Sequence, residues 1–149
     1  MRKRMVTISI LFSLFVLLAS ASAFAQDDRI KANIPFDFIA GKKSLPAGEY
    51  TIERGMSDQP DILLIRGVDN HRAVFLEADE TIASKTPKDS ELVFNKINNE
   101  YFLSKIWITD MDTGREIPEP RAERMLERNL ASTGQWTSNL VSEVRVHSE

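Results

Sequence analysis

Ile30, Ala32, Ile34, Phe36 and Phe38 occupy every second position, with Lys31, Asn33, Pro35 and Asp37 between them. In an extended strand such alternation puts one set on a core face and the other toward solvent. In a helix the same residues would scatter around the axis. Pro35 has no N–H to give to a ladder, so this strand belongs at a sheet edge or begins near that residue.

Further strands follow. Glu49 to Glu53 alternates again, with Tyr50 and Ile52 inward. Between the two runs, Gly41-Lys42-Lys43-Ser44 is a turn signal, and Leu45-Pro46-Ala47-Gly48 fits a type I turn. Asp61 to Arg66 (DILLIR) is a continuous apolar run suited to a strand covered on both faces. Arg72 to Ala78 (RAVFLEA) pairs with it across Gly67-Val68-Asp69-Asn70. ELVFNKI and EYFLSKIWI flank Asn98-Asn99, a pair that tolerates the positive φ of a tight hairpin turn. By parity Tyr101 and Trp107 share one face of the second strand, with Phe102, Ile106 and Ile108 on the other. Both faces are partly apolar, which makes the strand central. Thr81 to Ser90 and Asp110 to Gly114 read as loops.

The period changes after Pro118. Ala122, Met125, Leu126 and Leu130 form one apolar stripe at helical spacing, so a helix is expected over about 118–131, docked on the β-domain. Pro118 and Pro120 suit its first turn, and Gly134 stops it. Residues 135–149 are either a tail or a final strand with Leu140, Ser142, Val144 and Val146 on one face. The fold expected is mainly β, an antiparallel sandwich or small barrel of about six to eight strands with one C-terminal α-helix. Phe36, Phe38, Tyr50, Phe75, Phe94, Tyr101, Phe102 and Trp107 supply core volume, with Tyr101 or Trp107 as the residual choice for a carbohydrate platform.

The N-terminus has the layout of a secretory signal peptide: Arg2, Lys3 and Arg4, an apolar run from Met5 to Leu18, then A-x-A patterns ending at Ala25. The run is short of the roughly 20 residues that a spanning helix needs. Cleavage is expected after residue 25, leaving a single domain at 26–134 followed by 135–149, exported to the periplasm or beyond and without a transmembrane segment. Losing three of the 19 basic residues leaves 16 against 22 acidic ones, a net charge of −6. Such a balance argues against a nucleic-acid partner. With no Cys, disulfides contribute nothing and the apolar core must hold the fold.

Chemistry-bearing motifs are sparse. His71 and His147 have no His or Cys at ligand spacing, so neither a zinc site nor a catalytic histidine is indicated. Asp110, Asp112 and Glu116 resemble part of a Ca²⁺ loop, but Gly114 comes one position early and a third acid is missing before it. Arg115, Arg121, Arg124 and Arg128 alternate with Glu119, Glu123 and Glu127, the mixture of a solvated helix face. No catalytic residue, metal ligand or cofactor is indicated.

Three stretches together, IPFDFIAGKKSLPAGEYTIE, YFLSKIW and DTGREIPEPRAER, resemble a family of small exported bacterial proteins without assigned function, over about Ile30 to Arg128. The resemblance implies an envelope or secreted β-domain with a C-terminal helix, and carries no catalytic residues across. The reading is a non-enzymatic structural or interaction module, with an envelope protein or glycan as partner. Its contact loop is Gly41, Lys42, Lys43, Pro46 and Gly48. Alternatives are a carrier of a small apolar ligand or lipid, and a hydrolase with an unrecognised site.

Overall fold

In the computed structural model, which describes residues 29–56, 58–135 and 140–148, the alternating run divides at Pro35. β1 (Ile30–Ile34) keeps the expected alternation of buried and exposed residues. After Pro35 the chain crosses to a second sheet as β2 (Phe38–Ala40) and β3 (Lys43–Leu45), then returns as β4 (Gly48–Met56). β1 and β4 pair antiparallel, from Ile30↔Ile52 to Ile34↔Gly48. The turn-rich connection between them is thus itself a small hairpin, Phe38↔Leu45 to Ala40↔Lys43, in the other layer.

β5 (Gln59–Gly67) and β6 (Ala73–Glu77) complete a four-stranded sheet of order β1-β4-β5-β6. The second sheet contains β7 (Asp79–Ile82), β8 (Glu91–Ile97), β9 (Glu100–Trp107), β10 (Thr113–Glu116) and β11 (Val141–His147), in the order β11-β8-β9-β10-β7. β2 joins this sheet through a parallel pairing of Ile39 with Phe102. The result is an open, two-sheet sandwich with eleven strands among the described residues, and not a closed barrel. The count exceeds the six to eight expected because β3, β7 and β10 are three or four residues long, too short for a period to show. β10 and β7 fall partly in the stretches read as loops. Of the two readings of the C-terminal stretch, tail or strand, a strand is present over Val141–His147 as β11, paired along β8 from Val141↔Ile97 to His147↔Glu91. The expected leader and Trp136 lie outside the described residues.

The core fills the space between the sheets. Ile34, Tyr50, Ile65 and Leu76 come from one, Phe38, Leu92, Phe94, Leu103 and Ile106 from the other, and all are buried. Phe38 meets Tyr50 and Phe94 edge-to-face, with ring centroids 5.2 and 5.5 Å apart. Such contacts add to the transfer free energy of the rings.

A bulge in β9 changes which residues share its faces. Phe94 pairs with Leu103 and Val93 with Lys105, so Ser104 is the extra residue. Parity resets there. Tyr101, Leu103, Ile106 and Ile108 belong to the inter-sheet core, whereas Phe102 belongs to a separate cluster on the outer face, and Trp107 is paired with Gly114 of β10. The expected grouping of Tyr101 with Trp107 is therefore corrected. β9 is nonetheless central, as expected.

The helix α1 (Arg121–Ser132) covers that outer face. Leu130, Ile97 and Phe102 form its buried contact, with Ile39, Leu126, Leu140 and Val141 packed around them. The docked face differs from the expected stripe. Ala122 is exposed and Met125 is 52% exposed, while Glu123 is buried. Helical spacing of 123, 126, 127 and 130 rotates the contact by about one residue from the apolar count. Pro118 lies before the helix and Pro120 is its N-cap, without a side-chain capping bond. Gly134, at φ +66°, ends the helix, with Gln135 N–H returning to Leu130 O at 3.0 Å.

Candidate interaction groove

The motif Leu45-Pro46-Ala47-Gly48-Glu49-Tyr50 is a fold device. Tyr50 is fully buried, and its hydroxyl donates to Pro46 O at 2.6 Å. Asn70 Nδ2 donates to the same hydroxyl at 2.9 Å, and Asn70 Oδ1 accepts from Arg72 N–H. One tyrosine thereby ties the β3–β4 crossing to the β5–β6 turn. Burial, with the Asn70 bond opposing it, pushes the Tyr50 hydroxyl above its ordinary pKa. Pro46 and Gly48 belong to this crossing.

Gly41, Lys42 and Lys43 have a different setting. Gly41 and Lys42 form the β2–β3 turn, which lies against β6, and Lys43 opens β3. Gly41 has φ +60°, and a Cβ there would come within 2.8 Å of Leu76 Cδ2, so glycine is favoured on both counts. Between this turn, β6 and the segment leading into α1 runs a groove of about 470 Å³. Val74, Phe75 and Leu76 give it an apolar wall, faced by Ile117, Pro118 and Pro120. Lys42, Lys43, Arg121 and Arg124 stand around it, with Glu77 and Glu119 as the acids present.

Three features set this groove apart. β6 ends its sheet, so one edge of its backbone has no strand partner among the described residues. Phe75 is 57% exposed on it, although a core place was expected from its strand position. Its ring lies over the open side of Gly55, and its backbone pairs with Leu64. Arg121 and Arg124 occupy the first turn of α1, where the helix dipole disfavours positive charge. Among the described residues Lys42, Lys43 and Arg121 make no ion pair. Arg124 donates to the Glu119 carbonyl at 3.3 Å.

Other concavities are less suited to a partner. A space of about 400 Å³ beside α1 is lined by Asp79, Glu116, Glu119, Glu123 and Glu127, with Asn95 and Ser104. Glu123 is the strongly shifted group. Its carboxyl is pushed up to about 7, first by burial and then by Glu119 and Glu127, with the Asn95 bond working against them. An elevated carboxyl is a general-acid trait, but Glu123 is 2% exposed and one oxygen accepts from Asn95, which leaves little access for a substrate. The sequence pattern of mixed charges concealed this residue, because nothing in a helix face of alternating Glu and Arg marks the one that turns inward.

An opening between the sheets, about 220 Å³, is lined by Ile30, Ile52, Leu63, Ile106, Ile108 and Met111 with Arg54 and Arg115 at its rim. Ligand sites usually exceed about 300 Å³, so it is small for a lipid. Trp107 is 8% exposed and its ring lies against Gly114, while Phe36 stacks on Tyr101 at 3.9 Å. Neither ring is presented as a carbohydrate platform. His71 is an exposed turn residue at φ +53°, and His147 is exposed on β11. Asp110, at φ +60°, and Asp112 shape a loop by backbone bonds to Pro87 and Ala83, and among the described residues no three acidic, His or Cys groups are placed to hold a metal. No family model, curated protein or solved structure matches this chain.

Proposed function

We propose that the chain is an exported, non-catalytic interaction module of the bacterial envelope, and that its partner sits in the groove beside β6. The observation that carries this reading is the juxtaposition of an unpartnered strand edge, an exposed Phe75 and a basic rim on an otherwise acidic protein. Exposed apolar surface rimmed by polar residues is the mark of an interaction site. A free strand edge left uncovered is a liability unless it is used.

The test is photo-crosslinking in intact cells. A crosslinking amino acid at position 42 or 75 should yield a discrete adduct, and one at Lys31, exposed on the far strand β1, should not. Absence of an adduct at both groove positions, or equal adducts at Lys31, would overturn the reading.

A further inference from the structure

We infer that the groove takes an extended, acidic peptide segment of another protein, which adds to β6 as the fifth strand of the four-stranded sheet. This rests on the interaction reading above and names the partner's chemistry.

The backbone supplies the first argument. β6 is hydrogen-bonded to β5 along one edge, from Ile62↔Glu77 to Arg66↔Ala73, and among the described residues has no strand on the other. Four consecutive β6 residues, Val74 to Glu77, line the groove, so both side-chain faces and the edge between them border it. Among macromolecular partners an extended chain matches such an edge, because its donors and acceptors repeat at strand spacing. The groove volume of about 470 Å³ accommodates a short extended segment and little more.

Charge supplies the second. Four cations, Lys42, Lys43, Arg121 and Arg124, stand against two carboxylates, Glu77 and Glu119. The whole chain carries −3. This local reversal favours an acidic occupant and repels a basic one. The arginines in the first turn work against the helix dipole, and an incoming carboxylate relieves that conflict. The third argument is the exposed Phe75, which offers an apolar contact to the side chain opposite it on the incoming strand and to that residue's diagonal neighbours.

The test uses the isotope-labelled protein and a capped peptide of alternating Glu and Val. The peptide should shift the backbone amides of Ala73 to Glu77, and raised salt should weaken it. A Lys-for-Glu peptide should not bind. Nor should the acidic peptide methylated on every backbone nitrogen, which keeps its side chains but has no amide donors. Lys43→Glu with Arg121→Glu should lower affinity by about tenfold or more, with the remaining amide spectrum reporting an intact fold. Equal binding of the methylated peptide would overturn strand addition. So would shifts of these amides by phosphatidylglycerol vesicles or polygalacturonate with none from the peptide. A crosslink at position 42 with an inert peptide would sink strand addition alone, whereas no crosslink would sink the interaction reading itself.

Discussion

Asn95 of β8 and Glu123 of α1 are joined across the helix–sheet interface by a hydrogen bond of 2.7 Å from Nδ2 to Oε1. The bond fixes a carboxyl in a place where its charge is costly. Burial raises the Glu123 pKa from 4.5 to about 7. Below the unfolded value both states are protonated, and the docked helix keeps its full stability. As pH rises through that value the unfolded chain ionises first, so stability falls until the folded carboxyl also ionises near 7. The cost is of the order of 2–3 kcal/mol. Glu123→Gln should therefore match the parent at about pH 4 and exceed it at about pH 8. Urea denaturation at several pH values checks this, and parallel stability curves would contradict it.

Tyr50 yields a second prediction. Tyr50→Phe removes the bonds to Pro46 O and from Asn70 Nδ2 without opening a cavity. The loss should be about 1–3 kcal/mol, since two part-buried hydrogen bonds of roughly 0.5–1.5 kcal/mol each are lost. If Asn70→Ala is added, the double variant should lose less than the sum of the two singles. A fully additive double variant would show that the Tyr50–Asn70 bond contributes nothing.

Gly114 is a steric prediction. A Cβ there would lie 2.3 Å from Trp107 Cε3 and 2.7 Å from the Ile106 carbonyl oxygen. The ring could rotate away, but the backbone oxygen could not. Gly114→Ala should destabilise by about 1–3 kcal/mol and shift tryptophan emission toward the red as Trp107 leaves its cover. Unchanged emission and stability would mean that the two strands separate freely.

Phe38→Ala should cost about 3–5 kcal/mol, the usual loss for an aromatic truncated in a packed core. Phe38 is 1% exposed and contacts two other rings. Phe75→Ala offers the contrast, because Phe75 is 57% exposed. Its loss should stay below about 1 kcal/mol, measured by the same denaturation.

The strands with a long period were legible in the sequence, and those fixed by distant neighbours were not. The hairpin at Asn98 is visible because the residue itself adopts φ +57°. The alternation of Ile30, Ala32 and Ile34 is visible because one face is buried throughout. The Ser104 bulge has no local signature, and it inverted the parity argument for Trp107. β7 and β10 exist because Asp79 to Ile82 meets Thr113 to Glu116, a pairing between stretches that each read as polar. Helical spacing located α1, but hydrophobicity alone placed Met125 inward. Instead Glu123 fills that contact, with Asn95 meeting its carboxyl. Of the residues grouped as one loop, Gly41 to Lys43 line the groove while Pro46 accepts from Tyr50, a division that the turn residues alone do not reveal.

Ala78, fully buried, is the lone residue between β6 of one sheet and β7 of the other. The chain had already crossed between layers at Pro35 and at Pro46, so neither sheet is built from one continuous stretch. The four-stranded sheet has all its strands by Glu77, but its apolar face is covered by the β2–β3 hairpin, β8 and β9, so each sheet needs the other to bury its core residues. Folding should then be cooperative, with the consecutive hairpins β4–β5, β5–β6 and β8–β9 forming ahead of the pairings of β1 with β4, β7 with β10 and β8 with β11, which close longer loops. Until the two layers meet, the apolar faces of both stay open to water, and the crossings at Pro35, Pro46 and Ala78 are what bring them together.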